Sequence, residues 1–115
     1  MITISMTDVG KIRQVNQDYI FTSENPVGKL PNLFIVADGM GGHNAGDFAS
    51  RYTVETVVDA IKNSDETETI TIIRGAIEET NRKLIEKANE DVRLSGMGTT
   101  IVLCTIDGDE ACVAN

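Results

Sequence analysis

The chain has 115 residues, 41% of them hydrophobic, which is enough for one domain with a modest core and excludes a disordered chain. Eighteen acidic residues against ten basic ones give a formal net charge of −8; such a surface argues against nonspecific binding to nucleic acid or anionic membranes and is compatible with a cation site. No apolar run is long enough to span a bilayer, and Met1 to Asp8 lack the basic-then-apolar order of a signal peptide.

Ile2, Ile4 and Met6 alternate with Thr3, Ser5 and Thr7, which predicts a half-buried strand. Asp8-Val9-Gly10 ends it, and the polar stretch from Lys11 to Asp18 brings Arg13, Asn16, Gln17 and Asp18 close together in sequence. Tyr19-Ile20-Phe21 predicts a second short strand. Residues 23–32, with Asn25-Pro26 and Pro31, form a turn-rich connection.

Leu33 to Ala37 are five apolar residues without a polar break, which predicts a short strand buried on both faces. The run ends on Asp38. Glycines at 39, 41 and 42 let the following loop turn sharply and approach a ligand closely. Asn44 can cap a helix, with Asp47 three residues on as an imperfect capping box. A carboxylate at the end of a buried strand is costly unless paired, so a metal ion or a cation cluster is the expected partner of Asp38. Two nucleotide readings fail on spacing. Gly39-Met40-Gly41 is followed by Gly42, His43 and Asn44, which is no dinucleotide fingerprint. Gly41 to Gly46 is followed by Asp47, where a phosphate loop needs lysine.

From Ala45 the period becomes helical. Ala45, Phe48, Ala49, Tyr52, Thr56 and Ala60 share one face, widened by Val57 and Ile61, and the helix is expected to reach about Lys62. Asn63-Ser64-Asp65 breaks it. Asp65 with Glu68 can start a second, long helix whose apolar face is marked by Ile70, Ile73, Ile77, Leu84, Ile85 and Ala88. Its charged face, with the one-turn spacings Glu78–Arg82, Glu79–Lys83 and Lys83–Lys87, reads as a solvated surface. Ser95 to Thr100 is a second glycine-containing turn, Ile101 to Ile106 a β-branched strand, Asp107-Gly108 a hairpin turn and Ala111 to Ala114 the returning strand. Cys104 and Cys112 show no metal-type spacing and are too sparse for a disulfide scaffold, so they are expected to be reduced core thiols of a cytoplasmic protein.

Taken singly, the candidate residues carry little. Asp38-Gly39 alone is an ordinary turn signal, Arg13 a solvated cation, Asp18 a strand-edge residue, and His43 a side chain beside a helix start. Together they form three ordered blocks: Gly10-Lys11-Ile12-Arg13-Gln14-Val15-Asn16-Gln17-Asp18, then Val36-Ala37-Asp38-Gly39-Met40-Gly41-Gly42-His43, then Gly96-Met97-Gly98-Thr99-Thr100. In these blocks the chain resembles the metal-dependent serine/threonine protein phosphatases of the PPM type, also called type 2C, most of all their bacterial branch. The resemblance runs along nearly the whole chain. It implies an α+β fold, an α/β/β/α sandwich of two antiparallel sheets flanked by helices, of which residues 1–115 are about the N-terminal half.

The resemblance also implies roles. Asp38 would bridge two Mn or Mg ions, the Gly39 carbonyl would ligate one of them, and Asp18 would touch the site through metal-bound water. Oxygen donors of this kind suit hard divalent cations. Arg13 would grip the substrate phosphate, where a guanidinium fork can bond two oxygens. Two ions roughly 3.5–4 Å apart would activate a water for direct hydrolysis of a phosphoserine or phosphothreonine ester in a protein. Partners would be phosphorylated protein substrates and a cognate serine/threonine kinase with its targets; another branch of the family acts on regulators of sigma factors.

Two departures stand out. Eukaryotic members often carry histidine after the Asp-Gly pair, where this chain has Met40; His43, three positions later, is a candidate on the substrate side and not an assigned general acid. Family domains also continue with a Gly-Asp-Ser-Arg block, an Asp-Gly pair and a late Asp-Asn pair, none of which is in this sequence. The isolated chain is therefore expected to be inactive, and the alternative to an enzyme is a regulatory or binding module that retains the fold without turnover. A plain acidic α/β domain with a decorative glycine loop does not account for three motifs in order.

Overall fold

The computed structural model describes residues 18–40, 45–94 and 96–114. Four strands form one antiparallel sheet in the order β1-β2-β3-β4: β1 is Asp18–Ser23, β2 Leu33–Met40, β3 Gly98–Asp107 and β4 Glu110–Ala114. Two helices, α1 at Ala45–Lys62 and α2 at Thr69–Glu90, sit between β2 and β3 in sequence, and a short 3-10 turn covers Val92–Leu94. One sheet with two helices on one face supplies an α and a β layer of the expected sandwich. The strand expected over Ile2 to Met6 lies outside the described residues.

The sheet has two unlike faces. Leu33, Ile35, Ala37 and Gly39 of β2 are buried beneath the helices, with Leu103 and Thr105 of β3 on the same side. Tyr19, Phe21, Ile101, Cys112 and Ala114 pack at the margin of that core. On the opposite face, Val36 of β2 is paired with Val102 of β3, and Cys104 with Val113 of β4; Val102 is 47% and Val113 64% exposed. This corrects the expectation for β2. It is buried on one face only, it alternates, and it runs on through Asp38 and Gly39 to Met40. A run of five apolar residues reads as two-sided burial, but here the second side lies open among the described residues.

Both helices bury faces turned slightly from those expected. On α1 the buried rows are Ala45 and Gly46, Ala49 and Ser50, Thr53 and Val54, Val57 and Val58, then Ile61. Phe48 and Tyr52 lie at the edge, where their rings stack with centroids 5.3 Å apart. Arg51 lies over Phe48 at 5.8 Å and Lys87 of α2 over Tyr52 at 5.9 Å. On α2 the buried residues are Ile72, Ile73, Ala76 and Thr80, while Ile70 and Ile85, both assigned to the core face, are exposed. The charged face also rearranges. Arg82 reaches Glu79 and Glu86, each at 2.7 Å, and Lys83 reaches Glu79 at 3.6 Å; no Glu78–Arg82 pair forms among the described residues.

Two loops close the sheet against the helices. Val27 and Leu30 exchange backbone hydrogen bonds of 2.9 and 3.0 Å, and Gly28 between them takes φ 57°, where an added Cβ would collide with the Ile61 carbonyl at the end of α1. Only glycine fits both demands. Asn32 is 6% exposed, and its amide works as a piece of strand: Nδ2 donates to the Ile106 carbonyl at 2.8 Å and Oδ1 accepts from the Ile106 amide at 2.7 Å. The Thr105 hydroxyl donates to the Asn32 carbonyl at 2.8 Å. At the other end, Gly108 (φ 62°) makes the predicted turn between β3 and β4. The two cysteines are free. They are half-buried, not core thiols, and they stand on opposite faces of the sheet because Cys104 pairs with Val113 and Cys112 with Thr105. Partial burial, and then the neighbouring Cys112, push the Cys104 thiol up from its ordinary value.

Candidate metal centre

The register of the sheet brings two of the sequence candidates together. Asp18 opens β1 and is the direct cross-strand partner of Asp38 on β2. By alternation from the buried Ala37, the Asp38 side chain lies on the face of the sheet turned away from the helices. Asp38 is half-buried. The register sets the backbones of two residues with carboxylate side chains opposite each other at this end of the sheet. On its other side β2 pairs with β3, so that Asp38 faces Thr100, Gly39 faces Thr99 and Met40 faces Gly98. Asp38 therefore belongs to the middle strand of three and not to a free loop.

Gly39 is fixed from the helix side. A Cβ placed on it would collide with the backbone carbonyl of Gly46 in the first turn of α1. The glycine is needed here for close approach of a strand to a helix, a reason the loop composition did not suggest. Thr99, on β3, adds a third hold: its Oγ1 donates to the Asp38 carbonyl at 3.1 Å. Arg13 and His43 lie outside the described residues, as do residues 41–44 of the glycine loop.

The sequence profile of the Protein phosphatase 2C family matches residues 11–115. The chain belongs to this family. Serine/threonine phosphatase stp of Listeria monocytogenes is 38% identical over 113 residues, which are 95% of this chain and 44% of the relative. A solved S. agalactiae serine/threonine phosphatase is 40% identical with a TM-score of 0.75, covering 94% of this chain and 45% of that one. The catalytic domain of the phosphatase PstP, solved in complex with 2 manganese ions, is 24% identical with a TM-score of 0.72, covering 90% of this chain and 42% of that one; at that identity the likeness concerns the fold. The chain thus spans about half the length of the curated relatives it matches.

Within this protein phosphatase 2C chain the donor chemistry fits a hard divalent cation. The described candidates are two carboxylate residues and a peptide carbonyl, which are oxygen donors of the kind such a cation takes. Among the described residues no three His, Cys, Asp or Glu side chains gather into a set that could hold a metal, so the described part supplies a fraction of the ligands such a cation needs. Beyond the first turn of α1 lies a hollow of about 810 Å³, lined by Ala45, Phe48, Arg51, Asp91 and Arg93 among others. Arg93 there grips Asp91 through Nε at 3.1 Å and Nη2 at 2.8 Å. That fork holds the Asp91 carboxyl below its ordinary value and raises the guanidinium. Sequence reasoning did not pick out Gly46, which packs against Gly39, or Thr99, which holds the Asp38 carbonyl. The Gly96 to Thr100 block was a visible signal for Thr99, but no role came with it.

Proposed function

We propose that the chain is about the N-terminal half of a phosphatase domain that hydrolyses phosphoserine and phosphothreonine in proteins with the help of Mn or Mg. The observation that carries the reading is the Asp18–Asp38 register with Gly39 next in line, in a chain of the protein phosphatase 2C family. In this reading the Asp38 carboxylate and the Gly39 carbonyl hold two or more divalent ions, and Asp18 orients water beside them. When bound, such ions neutralise charge on the phosphoryl group and activate a water for attack. Arg13 binds two phosphate oxygens and sets the ester in line. His43 stands on the substrate side, and Met40, which has no proton to give, takes no acid role. The cellular setting is cytoplasmic signalling against a serine/threonine kinase, by analogy with the family alone.

The test uses the protein expressed from its complete natural coding sequence, a phosphothreonine peptide and a Mn titration. Asp38→Asn is expected to abolish turnover and weaken Mn binding. Arg13→Ala is expected to raise the Michaelis constant with Mn affinity unchanged, since a contact to a charged group is worth about 1.5–3 kcal/mol. Near-normal turnover in Asp38→Asn removes Asp38 from the metal site; retained turnover in the native protein without any divalent ion removes the metal. A native protein that binds Mn but never turns over phosphopeptides favours the regulatory module instead.

A further inference from the structure

We propose that Thr99 is a positioning residue for the metal centre: its hydroxyl holds the Asp38–Gly39 peptide in the orientation that the cation requires. The inference rests on the metal reading of Asp38 and Gly39 given above. It gives a role to the third sequence block, Gly96 to Thr100, which the assigned chemistry leaves unused.

Alternation puts the Asp38 carboxylate on the open face of the sheet, while Gly39 and Thr99, direct partners in the β2–β3 ladder, lie on the helix side. Between these two faces runs the peptide that joins Asp38 to Gly39. Its carbonyl oxygen is caught sideways by Thr99 Oγ1 at 3.1 Å in a part-buried position. From the helix side the Gly46 carbonyl blocks any movement of Gly39 toward α1. The torsions on either side of this peptide, ψ of Asp38 and φ of Gly39, help set the direction of the Asp38 side chain relative to the Gly39 carbonyl, so a hydrogen bond that holds the peptide plane limits how the two proposed donors can turn against each other.

Thr99 Oγ1 also lies 2.9 Å from the Thr100 carbonyl, in an exposed position, and a hydroxyl has a single proton to donate. The exposed carbonyl can take a water in its place, whereas the part-buried Asp38 carbonyl is harder to resolvate. The proton therefore contributes more at Asp38. Outer partners of metal ligands commonly change metal affinity by about 10–100-fold when removed.

Thr99→Val keeps the shape of the side chain and deletes the hydroxyl; Thr99→Ser keeps the hydroxyl and deletes the methyl. In the protein expressed from its complete natural coding sequence, two readouts are taken. The first is Mn affinity by electron paramagnetic resonance. The second, without metal, is the Asp38 carbonyl carbon-13 shift, which follows the hydrogen bond it accepts. Thr99→Val is expected to weaken Mn binding about ten-fold or more and to move the Asp38 carbonyl resonance, with the melting temperature nearly unchanged; Thr99→Ser is expected to restore both. The proposal is overturned if Thr99→Val binds Mn like the native protein, if valine and serine lose affinity equally, or if the carbonyl resonance stays in place in Thr99→Val. If native protein and Asp38→Asn bind Mn alike, the metal reading fails and the role of Thr99 falls with it, while the resonance still reports whether the bond exists.

Discussion

The same substitution, glycine to alanine, is expected to act with opposite sign at two positions. At Gly39 the added methyl would strike the Gly46 carbonyl. Neither side can retreat: β2 is laddered to β1 and β3 at this point, and α1 buries Ala45, Gly46 and Ala49 in the same turn. No left-handed φ is involved, so the cost is steric, of the overpacking kind, about 3 kcal/mol. At Gly75, on the exposed side of α2, the added methyl meets no described residue within 4 Å beyond its chain neighbours and the helix's own backbone. There alanine is expected to stabilise by about 0.5–1 kcal/mol, through a better helix and a less free unfolded chain. Because the unfolded-state effect is similar for both, the gap between the variants measures the native contact: about 3 kcal/mol, or roughly 12 °C in melting temperature. Thermal and urea melts of the two variants, followed by circular dichroism, give that gap. If Gly39→Ala melts within a degree or two of Gly75→Ala, the close packing of α1 on β2 is wrong, and with it the account of why glycine follows Asp38.

Asn32→Ala removes the amide that caps Ile106 on both sides and is expected to cost about 2 kcal/mol; a urea midpoint equal to that of the native protein would count against it. The apolar face bearing Val36, Val102 and Val113 should drive self-association of residues 1–115, visible as a particle mass that grows with concentration in light scattering. Val102→Lys with Val113→Lys should reduce it, and a chain that stays monomeric at high concentration would argue against an open face. The Arg82 guanidinium beside Glu79, with a smaller contribution from Lys83, lowers the carboxyl pKa. A lowered carboxylate pKa stabilises above its unfolded value of about 4.3 and loses that contribution as pH falls through the folded value. Glu79→Gln is thus expected to flatten the acid side of the stability profile slightly below pH 5, with the difference fading in high salt; an effect that appears only above pH 6 would contradict the assignment.

The sequence by itself determined the order of elements, because local signals decide it. Helical spacing from Ala45, the break at Asn63-Ser64-Asp65 and the Asp107-Gly108 turn are properties of neighbouring residues, and α1, α2 and the hairpin lie where they say. The family was legible for a related reason: three short blocks in a fixed order are specific even when each residue alone is not. Periodicity set the helix faces only to within a fraction of a turn. Ile70 and Ile85 fit the apolar stripe of α2 yet are exposed, since the docking angle of a helix is chosen by the surface it meets. The tertiary structure decided the rest. Asp18 and Asp38 are twenty positions apart, and no local rule sets them opposite each other; a shift of one residue in the β1–β2 register would have set a different residue of β1 against Asp38. The need for glycine at 39 comes from a helix that begins six residues later, and the hold on the Asp38 carbonyl comes from Thr99, sixty-one positions away. Such contacts depend on how strands and helices meet in space, which the order of residues alone does not reveal.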